Sequence, residues 1–89
     1  MKGYENMKFD KQVLFLGISS NELKDGGVYY TVQFFEMGGE PVAVNVMSND
    51  RNADILKVLL ALEFGDKVSV TFVLRPADKL YKLGLAHVL

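Results

Sequence analysis

The sequence contains no cysteine and no tryptophan, only two prolines, and almost no net charge. Each absence excludes something. Without cysteine there is no disulfide framework, no thiolate nucleophile and no zinc–thiolate cluster, so a core must hold without staples. The longest apolar runs, Val13 to Ile18 and Val58 to Leu62, fall far short of the ~20 residues that cross a bilayer as a helix. Polar and charged residues interrupt the start before the apolar stretch of a signal peptide can develop. A formal charge of −1 counts against a strongly cationic nucleic-acid binder. What is present is 49% apolar, too hydrophobic for a disordered chain. The expectation is one soluble, cytoplasmic domain with no membrane partner. At 89 residues it buries roughly 60–65% of its unfolded surface in one modest core.

Residues 1–8 read as a frayed or disordered leader: Met1 to Asn6 are polar with one tyrosine, and Met7 is an alternative start. Residues 9–89 read as the single domain, with no repeat, low-complexity tract or linker. In KFDKQVLFLGIS, Leu14, Leu16 and Ile18 alternate with Val13, Phe15 and Gly17, so both faces are apolar. That suits a strand shared between two packed surfaces, bent near Gly17. Ser19 to Gly27 is polar and ends in a glycine pair, a turn signal. VYYTVQFFE follows, with Val28, Tyr30, Val32 and Phe34 on one face and Tyr29, Thr31, Gln33 and Phe35 on the other. Met37-Gly38-Gly39-Glu40 makes a hairpin into PVAVNVM, where Val42, Val44 and Val46 share a face.

The period then changes. Ile55, Leu56, Leu59, Leu60 and Leu62 recur at helical spacing over Asn52 to Leu62, with Asn52 or Asp54 as N-cap and Gly65 as the stop. KVSVTFVLR returns to period two, Pro76-Ala77-Asp78 turns the chain, and LYKLGLAHVL closes it. Strand, strand, strand, helix, strand, strand predicts an all-β fold with one helix: a five-stranded antiparallel barrel of the OB type. An SH3-like barrel needs no amphipathic helix at this point. A ferredoxin-like fold needs a helix between the first two strands, where the residues are polar.

Enzyme motifs are absent: there is no glycine-rich phosphate loop, no GxSxG and no HExxH. The lone histidine, His87, lies on the last strand without partners for a triad or a metal. The acidic pairs Glu22/Asp25 and Asp50/Asp54 fall in loops or at a helix start, where solvation and the helix dipole account for them. No catalytic residue, metal site or cofactor is expected. The informative feature is the outward face of the second strand, where Tyr29 and Phe35 flank Thr31 and Gln33. On OB barrels this surface binds single strands, and base–aromatic stacking supplies about 1–3 kcal/mol per base without sequence preference. Aromatics also suit strands by propensity alone, and an outward one can pack under a loop or at a subunit interface.

Charge is unevenly spread. Residues 1–50 hold four lysines and seven acids, net −3, whereas residues 51–89 hold six Lys/Arg and four acids, net +2. Arg75, Lys79 and Lys82 cluster around the turn between the last two strands, Arg51 and Lys57 lie at the helix start, and Lys24 lies in the first loop. A positive groove beside aromatic platforms is the footprint of a single-strand binder; a solvated hairpin tip is the bland alternative.

GGVYYTVQFF, GGEPVAVNV, FGDKVSVTFVLRP and DKLYKLGLAHVL together resemble the small OB-fold single-stranded-DNA-binding proteins of phages and plasmids, of the filamentous-phage type. The similarity spans about residues 9–89 and rests on pattern rather than on a diagnostic motif. Such proteins act in DNA replication, bind cooperatively, usually as homodimers, and stack bases on tyrosine or phenylalanine while lysine and arginine meet phosphates. Position by position, the resemblance implies Tyr29 as a platform and Arg75, Lys79, Tyr81 and Lys82 as the hairpin contribution. Many such proteins are more basic, and the shortest phage members lack the intervening helix. The expectation is a non-enzymatic binder of single-stranded DNA, or RNA, using Tyr29, Phe35, Arg75, Lys79, Tyr81, Lys82, Lys24 and Arg51, and working as a homo-oligomer. Two rival classes use the same barrel: a protein-interaction or dimerisation module through Phe15, Tyr29 and Phe35, and a binder of a small oligosaccharide or metabolite.

Overall fold

A 16-residue strand, β1 (Met7–Glu22), organises the molecule by pairing with two neighbours in turn. The computed structural model describes residues 7–36, 38–77 and 80–88, with the backbone alone at 75–77, 80–83, 86 and 87. The first half of β1 pairs antiparallel with β4 (Lys67–Ala77) and the second half with β2 (Val28–Glu36). Exchanging partners in mid-strand requires a bend. Phe15 lies opposite Phe34 but Gly17 lies opposite Gln33, so Leu16 is an extra residue and the strand bulges there. The bulge also switches parity: Val13 and Phe15 face the core before it, and Ile18 packs on the core after it. Phe15 anchors the bend through its own backbone. Its N–H donates to the Asp66 carbonyl and its carbonyl accepts from the Gly65 N–H, both at 2.8 Å.

With β3 (Pro41–Met47) and β5 (Leu80–Val88), the strands lie in the order β3-β2-β1-β4-β5, each antiparallel to its neighbour. The sheet curls until its outer strands β3 and β5 approach each other, but among the described residues no ladder of hydrogen bonds joins them. The short helix α1 (Ala53–Leu60), preceded by a single 3-10 turn at Asp50–Asn52, buries Leu56 and Leu59 in the core and packs beside β5. The result is the expected architecture: a five-stranded antiparallel OB-like barrel, open along one seam, with one helix. Phe34 sits at its centre, edge-on to Phe15 and Phe72 at centroid distances of 6.3 and 6.0 Å. No helix among the described residues is long and apolar enough to cross a membrane.

The element boundaries differ from expectation in four places. One is the last hairpin, where Pro76 and Ala77, expected to turn the chain, instead extend β4 opposite Tyr81 and Leu80; Asp78 lies outside the described residues. Met7 pairs with Leu74 and Lys8 with Val73, so residues 7 and 8 belong to the sheet rather than to a leader. Ser19 to Glu22, expected in a loop, continues β1 against Val28 to Thr31; its polarity reflects exposure, not a turn. The turn itself is only Leu23 to Gly27. The Gly26 N–H donates to the Leu23 carbonyl at 3.0 Å, the Leu23 N–H to the Gly27 carbonyl at 2.7 Å, and Gly26 takes φ +92°. Finally, the helix ends at Leu60 rather than Leu62, although Leu62 still packs on the core from the following turn. Asn52 stands at the helix start but makes no side-chain cap, and the Asn49 side chain accepts the Asn52 N–H instead, at 3.0 Å.

Candidate nucleic-acid interface

Because side chains alternate along a strand, the residues that do not face the core form a second, outward surface. On the β1–β2–β3 part of the sheet the register arranges it in rungs. Leu14, Phe35 and Pro41 form the first; Gly17, Gln33 and Ala43 the second. Ser19, Thr31 and Asn45 form the third; Asn21, Tyr29 and Met47 the last. No Asp, Glu, Lys or Arg stands on these rungs. Tyr29 and Phe35 are both half-buried, and six residues of strand separate them, about 20 Å. They are therefore two platforms rather than one stack. A polar ladder lies between them: the Asn21 side-chain amide donates to the Thr31 hydroxyl at 3.1 Å, and that hydroxyl donates to the Asn45 carbonyl oxygen at 2.9 Å.

Cations stand at the borders of this uncharged face. Lys67, at the start of β4, lies opposite Leu14 and is exposed, extending the Phe35 rung by one strand. Arg51 lines a recess that also includes Met47, the cross-strand neighbour of Tyr29. Each platform thus has one cation near it. Lys24 is exposed in the β1–β2 turn, next to Asp25, whose carboxylate is occupied by the Gly27 N–H at 2.9 Å. Glu36 follows Phe35 in sequence but has inward parity at the barrel rim, where it pairs with Lys11 at 2.9 Å.

The basic hairpin is only partly described. The register sets Arg75 opposite Lys82 and Pro76 opposite Tyr81, one step beyond the Met7–Leu74 pair. Their side chains, and the whole of Lys79, lie outside the described residues, as do residues 1–6. Along β4, Arg75 is eight residues from Lys67, about 26 Å of strand, so the hairpin extends from the platform face instead of edging it. His87 stands opposite Thr71 on β5. Among the described residues no three His, Cys, Asp or Glu come together to hold a metal.

Reading the residues alone overlooks four positions. Lys67 carries no charge-cluster signal, although the inward alternation starting at Val68 implies that it faces outward. Met47 and Asn45 are visible only through pairing with Tyr29 and Thr31. Phe64, in the turn that hydrogen-bonds to Phe15, is 80% exposed and so contributes almost nothing to the core. Compared with protein-family models, curated proteins and solved structures, the chain matches none.

Proposed function

We propose that this chain is a non-enzymatic single-stranded nucleic-acid-binding protein, with single-stranded DNA as its main partner. One observation carries the reading: the four outward rungs shared by β1, β2 and β3 hold no charge, present Tyr29 and Phe35 at their two ends, and are bordered by Arg51 and Lys67. A charge-free aromatic face accepts flat bases without repelling the backbone, and border cations reach the phosphates on either side. The hairpin residues Arg75, Lys79, Tyr81 and Lys82 act as a second, more distant arm. Because the protein as a whole carries −1, stacking supplies more of the affinity than phosphate neutralisation does.

The experiment exploits the four tyrosines in a chain without tryptophan. Adding a pyrimidine oligonucleotide to micromolar protein at about 50 mM salt is expected to quench tyrosine emission and to retard the oligonucleotide in a gel. Absence of both effects rules the reading out. The apolar rung Leu14–Phe35–Pro41 favours a second reading, in which this end of the face is a homodimer contact. Size exclusion of Phe35→Ser separates the two: a change from dimer to monomer with unaltered oligonucleotide affinity supports the dimer contact alone.

A further inference from the structure

Where β3 and β5 approach without pairing, the seam opens into a recess of about 280 Å³. This is just below the range of about 300–1,000 Å³ for small-molecule sites, room for one small group rather than a large ligand. Its floor is apolar, from Val46 and Leu85, and its rim carries Asn45, Asn49, Arg51 and Asn52. The hydrogen bonds already present decide which polar groups remain available. The Asn45 carbonyl oxygen is taken by the Thr31 hydroxyl at 2.9 Å, leaving its NH2 group. The Asn49 carbonyl oxygen is taken by the Asn52 N–H at 3.0 Å, again leaving NH2. The Asn52 amide donates one N–H to the Met47 carbonyl at 2.9 Å, which leaves its second N–H and its carbonyl oxygen. Arg51 offers only donors, and it makes no ion pair among the described residues.

The NH2 groups of Asn45 and Asn49, the second N–H of Asn52 and the Arg51 guanidinium outnumber the lone pairs left on the three amide oxygens, so the rim is donor-rich. The group that answers such a rim is anionic and has several acceptor oxygens. The position narrows it further. Met47 forms one wall and lies directly across from Tyr29, at a Cα separation of about 5 Å, so the recess borders the strand next to the Tyr29 platform. We infer that the recess seats a phosphodiester of the strand whose base stacks on Tyr29, held by Arg51 and the amide donors of Asn45 and Asn49. This rests on the single-strand reading and adds to it a particular phosphate seat at the unpaired seam.

The test pairs two variants that keep the fold. Arg51→Gln removes an exposed charge. Asn49→Asp keeps the oxygen that accepts the Asn52 N–H and replaces the free donor by a carboxylate. Both are titrated with an eight-nucleotide oligo-dT across a salt series, beside the wild type. Arg51→Gln is expected to make the log–log salt slope shallower by about 0.7, the value for one phosphate on a single strand. Asn49→Asp is expected to weaken binding at least about tenfold, as for loss of a hydrogen bond to a charged group. In both variants, tyrosine quenching at saturation persists. If the wild type binds and neither variant changes slope or affinity, the seat is overturned while the single-strand reading stands. If the wild type does not bind at all, both fall. A parallel titration with inorganic phosphate alone, followed through the side-chain NH2 signals of Asn45 and Asn49, separates a strand seat from one for free phosphate. Half-saturation by phosphate at or below the oligonucleotide concentration overturns the strand assignment.

Discussion

The Thr31 hydroxyl donates to the Asn45 side-chain oxygen at 2.9 Å, across the outward face of β2 and β3. The same hydroxyl accepts from Asn21 at 3.1 Å, so one threonine fixes the orientation of two amides on two strands. Thr31→Val keeps a β-branched residue in the strand, and the lost bonds are largely solvent-accessible. Unfolding in urea should move by less than about 1 kcal/mol. Oligonucleotide affinity should fall, because Asn45 is then free to turn. Equal affinity with and without the hydroxyl would separate the ladder from the interface.

Tyr29 and Phe35 are each expected to contribute about 1–3 kcal/mol of stacking when replaced by alanine. Their separation of about 20 Å places them on different bases, so the two losses should add. The free energies come from oligonucleotide titrations, and circular dichroism checks that the sheet survives. A double variant no weaker than the more damaged single one, with the other single variant binding like wild type, would mean that the strand crosses only one of the platforms.

Salt dependence counts the phosphates that the cations reach. Lys24, Arg51 and Lys67 alone give a log–log slope of about −2, and the hairpin cations extend it toward −4. Replacing Lys79 and Lys82 together by alanine should make the slope shallower by about 1.4. An unchanged slope removes the hairpin from the interface.

Two glycines separate backbone need from empty space. A Cβ on either Gly17 or Gly65 would meet nothing within 4 Å, but Gly65 has φ +90°. Gly65→Ala should therefore cost about 1–2 kcal/mol in urea unfolding, with no steric clash to blame. Gly17→Ala should be neutral or stabilising by up to about 1 kcal/mol, because a strand glycine carries excess unfolded-state entropy. The opposite order would show that the bulge needs glycine more than the turn does.

Phe34 and Leu59 are fully buried and belong to one cluster. Phe34→Ala should cost about 3–5 kcal/mol and Leu59→Ala about 2–5 kcal/mol. Against a total of about 5–15 kcal/mol for a domain, either leaves little reserve, readable as a shift of the urea midpoint. A loss under about 1 kcal/mol at Phe34 would contradict its place between Phe15 and Phe72.

Most of the barrel was legible because its inner face alternates strictly: Val32 and Phe34, Val44 and Val46, and Val68 and Val70 are all buried as their spacing predicts. Ser19 to Glu22 was not, since a strand segment with exposed polar residues has no hydrophobic period to reveal it. The spacing overstates the helix because Leu62 has helical periodicity yet packs on the core from beyond the helix end. The outward aromatics followed from parity. Their companions Lys67, Asn45 and Met47 did not, because cross-strand register joins residues far apart in sequence.

The double pairing of β1 also sets the order in which the chain can acquire its structure. β1, β2 and β3 are successive hairpins, available to a nascent chain as soon as each turn is made. The β1–β4 ladder joins positions such as Asp10 and Thr71, which hydrogen-bond across a sequence separation of 61 residues. Closure of the barrel therefore waits for α1 and β4 to be synthesised and for a large loop to shut. Such non-local pairing belongs to folding on the millisecond-to-second scale, and until it completes, β1 presents an unpaired edge to any neighbouring chain.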